Sequence, residues 1–204
     1  MSRSRRHLRR GATLIATLLI LLVVLLLGAA AAQIALQGQR TTRNERDRQI
    51  ALQAAEAALL DAEIDIEGSP DPVRSRSDLF SRHNAPAFPV VAGSCVSGAH
   101  NRNMGLCLPS AAGRPAVWRT LDFIDARPAT ATAVTYGQFT GRSFPFGAGF
   151  LPVAAPRYVI ELLPDNRQGQ RADQPAYLYR VTAVGFAASM QTQVALQAIY
   201  RKTR

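Results

Sequence analysis

Between Arg10 and Arg40 the sequence carries no charged residue, and it has no proline before Pro70. The first absence excludes a solvated surface helix over that stretch, and the second leaves nothing to break a helix there. Recognised catalytic motifs are also missing. No signature marks a Ser/His/Asp set, and Gly137-Gln-Phe-Thr-Gly and Gly147-Ala-Gly lack the lysine and strand–helix context of a phosphate loop. An enzyme is therefore not expected, nor a cofactor or a metal. Basic residues interleaved with aromatics are absent as well, so nucleic acid is not an expected partner. Cysteine is limited to Cys95 and Cys107. In an exported domain an even pair suggests a disulfide. The alternative, a metal site using His83 or His100, lacks any recognised ligand spacing.

What is present begins with a basic start and a long apolar run. Arg3, Arg5, Arg6, Arg9 and Arg10 supply half of the net charge of +10. Ala12 to Ala32 is then almost wholly apolar. At ~1.5 Å per helical residue this run suffices for a ~30 Å hydrocarbon core. The arginines predict a cytoplasmic N-terminus, with the rest of the chain across the inner membrane. A secretory signal cleaved near Ala29–Ala32 competes, but its apolar region would be shorter. The pattern then turns amphipathic without a helix stop. One helix of about 50 residues is expected, ending at Gly68-Ser-Pro-Asp-Pro, where glycine can take a left-handed cap. Its segments are a leader at 1–11, a transmembrane part at 12–36 and an amphipathic periplasmic part at 37–67. The carboxylates Glu56, Asp61, Glu63, Asp65 and Glu67, with Arg46 and Arg48 nearby, read as a solvated face or inter-helix pairs.

Residues 68–204 form the expected periplasmic domain. Its first part, 69–115, is rich in Ser, Pro, Gly, Asn and Arg and reads as irregular, with a turn of helix at Asp78 to Arg82. Ala116 to Leu121 reads as a short strand or helix turn. Trp118 is expected to anchor a core. Phe139, Phe144, Phe146 and Phe150 lie in a Gly- and Pro-rich stretch. They read as a loop packing its aromatics onto a sheet, with an exposed docking patch as the alternative. The C-terminal end alternates with a period of two through Tyr158–Leu163, Tyr177–Ala183 and Gln193–Arg201, the mark of half-buried strands. An antiparallel meander follows, with one face covered by a helix stripe of Leu52, Leu59 and Ile66. The fold class is thus α+β: one long N-terminal helix, membrane-spanning in its lower half, packed on a C-terminal antiparallel sheet.

Arg10-Gly11-Ala-Thr-Leu-Ile resembles the start of type IV prepilins. The resemblance implies removal of the leader after Gly11 by prepilin peptidase, with Ala12 as the new, N-methylated terminus. Major pilins carry glutamate as their fifth mature residue; here that residue is Ala16. Arg46-Asp-Arg-Gln-Ile-Ala-Leu-Gln-Ala-Ala-Glu-Ala-Ala-Leu59, Gly105-Leu-Cys107 and Tyr179-Arg-Val-Thr-Ala-Val-Gly185 further resemble the PilX type of minor pilin. The likeness covers both ends of the chain and is diffuse over 68–156.

This resemblance implies a pilin-like fold and a subunit that helps prime pilus assembly at or near the tip, beside other minor pilins and the major pilin. The inner-membrane assembly machinery and a large tip adhesin-type protein are further implied partners. In major pilins the glutamate pairs with the terminal amine of a neighbouring subunit, and a first subunit needs no such pair. Localisation follows: inner membrane, single-pass, then pilus tip. Two alternatives remain, a type II secretion pseudopilin and a tip adhesin or DNA-uptake subunit. The 193 residues beyond Gly11 leave little room for the inserted domain usual in tip pseudopilins. Beyond the five leading arginines the net charge is only +5, which gives weak support to DNA uptake.

Overall fold

The computed structural model describes residues 7–166 and 175–203, with side chains from residue 13 onward. The chain forms two compact units, one up to Arg46 and one from Asp47 to Arg204. A single helix, α1 (His7–Glu67), contributes to both. At 61 residues it is longer than the expected helix of about 50, because it already begins at His7, among the residues expected to form the leader. It ends where expected, the Gly68 nitrogen donating to the Ile64 carbonyl at 2.9 Å. Gly68 does not take the left-handed cap conformation, since its φ is not positive. Pro70 and Pro72 end the helix instead, because neither can donate a helical hydrogen bond.

In the second unit the strands are β1 (Leu106–Cys107), β2 (Val134–Thr135), β3 (Arg157–Pro164), β4 (Tyr177–Phe186) and β5 (Gln193–Tyr200). The expected meander is present as β3-β4-β5, antiparallel throughout. The sheet as a whole is mixed rather than antiparallel: β1 runs parallel to β3, while β2 pairs antiparallel with it. A two-residue strand is too short to show a period, so nothing local announced β1. Between β3 and β4 the chain is described only through Asn166; 167–174 lie outside the described residues.

Register sorts the side chains into two layers. Tyr158, Ile160 and Leu162 pair with Ala183, Val181 and Tyr179, and all six lie in one core with Ala58, Ala62 and Ile66 of α1. Val159, Val184 and Phe186 point to the opposite face, where Cys107, Val117, Phe123 and Ala133 cover them. The helix stripe differs from the expected one. Ala51, Ala54, Ala55, Ala58 and Ala62 are fully or nearly fully buried with Ile66, whereas Leu52 and Leu59 are half-buried. Small residues win the contact because they let the helix backbone approach the sheet; leucines would hold it away.

Three further expectations are corrected in part. The helical turn near Asp78 is a 3₁₀ turn at Ser77–Leu79. Trp118 sits in a second 3₁₀ turn, Val117–Arg119, and is half-buried at the edge of the second core rather than at its centre. Of the four phenylalanines, Phe139 is buried and Phe144 tilts against Tyr136 at 5.2 Å. Phe146 and Phe150 are 56% and 75% exposed, so the loop does not pack all its aromatics inward.

Candidate functional site

The unit up to Arg46 is an apolar helix with no core of its own. Leu18, Leu19, Ile20, Leu21 and Leu22 are consecutive, so they circle the helix, and each is at least half exposed. A surface apolar on every side needs lipid or other helices around it. α1 is long and apolar enough to cross a membrane. Within the apolar run the Thr17 hydroxyl is satisfied internally, as lipid requires, donating to the Leu14 carbonyl at 2.9 Å. Gly28 has open space where a Cβ would stand. With Ala29–Ala32 it leaves a low, smooth patch where another helix can approach closely. Gly11, Ala12 and Ala16 all lie on α1, and Ala16 is exposed.

Cys95 and Cys107 lie in the other unit, joined to each other by a disulfide. That bond removes both thiols from any metal site. Among the described residues no three His, Cys, Asp or Glu side chains cluster as metal ligands would.

In the second unit, buried charge fixes the end of α1 against the sheet. Asp61 and Asp65 are fully or almost fully buried, contrary to the expected solvated face, while Glu56 and Glu63 remain exposed. Asp65 receives the fully buried Arg76 through Nε at 2.9 Å and Nη2 at 2.6 Å, and the Tyr158 hydroxyl at 2.9 Å. The second guanidinium arm donates to the Met104 and Arg102 carbonyls, and the guanidinium lies 3.7 Å from the Phe139 ring centroid. One arginine thus ties α1 to the loop before β1. Burial pushes the Tyr158 hydroxyl well above its usual pKa, so it stays a donor to Asp65.

Asp61 accepts from the Gly137 nitrogen at 2.7 Å and the Thr140 hydroxyl at 2.5 Å. Burial raises its pKa, and these two bonds only partly oppose that. Gly137 has φ of +79°, and a Cβ there would lie 1.8 Å from the Arg142 carbonyl oxygen. Only glycine permits the turn that aims this nitrogen at Asp61. At the last turn of α1, Glu67 accepts from the Tyr200 hydroxyl at 2.7 Å and from Thr203 at 2.8 and 2.9 Å. Burial opposes its ionisation, but these donors together outweigh it and lower its pKa. Every one of these carboxylates is engaged in holding the helix.

Sequence reasoning missed this network. A signal for half of it existed: Asp61 and Asp65 fall on the same helical stripe as Ala54, Ala58 and Ala62. For Arg76, inside Arg74-Ser-Arg-Ser, there was none.

Two family descriptions match the chain. "PilX N-terminal" matches residues 10–60, and "Type IV pilus assembly protein PilX C-term" matches residues 103–202. The chain belongs to the PilX family of type IV pilus assembly proteins. No curated protein and no solved structure matches it. The first PilX range takes in the apolar segment and the alanine stripe through Ala58, the second the cysteine loop's end and the whole meander. PilX membership makes this chain a minor pilin, a structural component of the pilus assembly system, and its apolar helix fits a membrane-anchored pilin.

Proposed function

We propose that this minor pilin helps to prime assembly of a type IV pilus and stays at or near its tip, in a complex with other minor pilins and the major pilin. In this reading prepilin peptidase cuts after Gly11, and Ala12 becomes the methylated N-terminus. The segment 12–36 waits in the inner membrane with the leader in the cytoplasm. Residues 37–67 and the domain 68–204 stand in the periplasm until the assembly machinery moves the helix into a filament. A large tip adhesin-type protein is the partner beyond the complex.

The observation that carries the proposal is Ala16. The exposed apolar helix around it has no carboxylate with which to meet the amine of a subunit ahead. A buried carboxylate is costly unless paired, so a subunit that precedes all others is better without one.

The test is a deletion at the native locus, with surface pili counted and the tagged protein located by immunogold labelling. Loss of pili on deletion, with label at filament ends, is the expected result. Normal pili that fail in adhesion or DNA uptake would move the chain to a binding role, and label along the shaft would remove the tip assignment. Mass spectrometry of membrane-extracted protein should show Ala12 at the N-terminus; a soluble form starting near Ala32 would overturn the pilin processing.

A further inference from the structure

The outer edge of β5 is built to be paired. The sheet ends at this strand, in the order β1-β3-β4-β5. The strand is eight residues long, Gln193-Val-Ala-Leu-Gln-Ala-Ile-Tyr200, with no charge, no proline and no glycine. It pairs with β4 one residue to one from Phe186↔Gln193 to Tyr179↔Tyr200, so no bulge twists it away. Among the described residues, no backbone group of 194–199 bonds to anything but β4. Natural monomers blunt such edges with lysine, proline, bulges or short length, because an open ladder of N–H and C=O groups recruits another strand. This edge has none of those devices. The opposite end of the sheet is protected: β1 is two residues long and bridged by Cys95.

A groove lies beside the edge. Gln193 and Ala195 of β5 and Val184 of β4 form its floor, and Trp118, Leu121, Phe123 and Arg119 line the rest. The Arg119 guanidinium sits 5.3 Å from the Trp118 ring centroid and, among the described residues, is the only charged group lining the groove. Ile199, farther along the same face of β5, is 65% exposed. A strand added to β5 would send alternate side chains to this face, where apolar ones meet Trp118 and Ile199 and a carboxylate meets Arg119. Backbone bonds would supply affinity and the groove selectivity, as in strand addition generally.

We propose that the β5 edge is the docking site for an extended strand of a different subunit, apolar at alternate positions and carrying a carboxylate near Arg119. A second copy of this chain is the poorer occupant. It would bring the same positive net charge and a second Arg119, rather than a carboxylate, to the junction. The choice of a pilus subunit as donor rests on the proposed function above; the open edge itself does not.

The test places a photoreactive phenylalanine analogue at position 199 of the full chain, and in a separate strain at position 195, each expressed from its native locus. A second strain carries Ala198→Lys and Ile199→Lys, exposed positions that put a charge on each face of β5 while leaving its ladder with β4 intact. Val90→Lys, on a side chain 93% exposed, is the control. Expected are an irradiation product joining this chain to another pilus subunit, and its loss when the paired lysines are introduced next to a probe at position 195, with protein level unchanged. Val90→Lys should leave the product intact. An adduct only with a second copy would overturn the proposal in favour of self-pairing. Absence of any adduct, or an adduct undiminished by the lysines, would overturn it outright. Normal piliation in the deletion strain would sink the priming role while leaving the crosslink to decide the edge.

Discussion

Gly185 of β4 lies directly against the backbone of Ala51 on α1. A Cβ built on this glycine would stand 2.0 Å from the Ala51 carbonyl oxygen and 2.4 Å from the Ala55 nitrogen. Helix and strand meet there with nothing but hydrogen between them. The alanine stripe of α1 and the glycine of β4 are two halves of one contact, and the closeness lets Ala58, Ala62 and Ile66 reach the tyrosines and aliphatic side chains of the sheet.

Gly185→Ala should therefore destabilise the protein by about 1–3 kcal/mol or more, the usual cost of overpacking, because the obstacle is backbone and cannot turn aside. The measurement is the urea midpoint of the full chain in detergent micelles. An unchanged midpoint would mean that α1 shifts along the sheet without loss.

Arg76→Met should cost about 3–5 kcal/mol, since it strands the Asp65 carboxylate in the core. Adding Asp65→Leu should recover much of that loss, because removing both charges also removes the desolvation each one carries. Midpoints of the two single variants and the double variant give the coupling. A double variant no better than Arg76→Met alone would show that the Met104 and Arg102 carbonyls, left without their donor, dominate instead.

The raised pKa of Asp61 gives stability a particular dependence on pH. Its folded-state value lies above the ordinary carboxylate value of about 3.9, so the folded protein holds this proton more tightly than the unfolded chain. The stabilisation is complete below the unfolded value and is lost as pH rises through the folded one. Asp61→Asn keeps the shape without the charge and should remove this component. Comparing urea midpoints of the two proteins from pH 4 upward tests it: the gap between them should shift in favour of the asparagine form as pH rises. A constant gap would mean that Asp61 does not titrate differently in the fold.

Cys95→Ser opens a loop with a sequence separation of 12. In the chain-entropy treatment this costs about 3 kcal/mol. The expected phenotype is a lower protein level in cells, with less effect on the function of what remains. Ready alkylation of both thiols in native protein without reductant would contradict the bond.

Ala16→Glu tests the tip assignment. A carboxylate here costs on the order of 2–3 kcal/mol in the membrane by insertion scales, which the surrounding leucines can absorb. Insertion and stability should stay near normal, with piliation reduced or unchanged. Surface pilin per cell is the readout. More pili than wild type, with this subunit spread along the shaft, would mean that Ala16 had been limiting ordinary incorporation.

The sequence alone determined the apolar helix, the period-two strands of the meander and the family resemblance at both ends. Each is a local pattern: a charge-free run, an alternation, a string such as Arg46-Asp-Arg to Leu59. The direction of β1 was beyond its reach, because two residues carry no period. So was the fate of the helix carboxylates. Glu56 and Asp61 look alike in a string of letters, yet Glu56 meets water and Asp61 is buried beneath a turn 76 residues away. Asp65 is tolerable in the core only because Arg76 arrives from 11 residues on and Tyr158 from 93. A buried charge depends on partners that the fold assembles from distant and unpatterned segments, so only the tertiary structure could decide which carboxylates hold the helix in place.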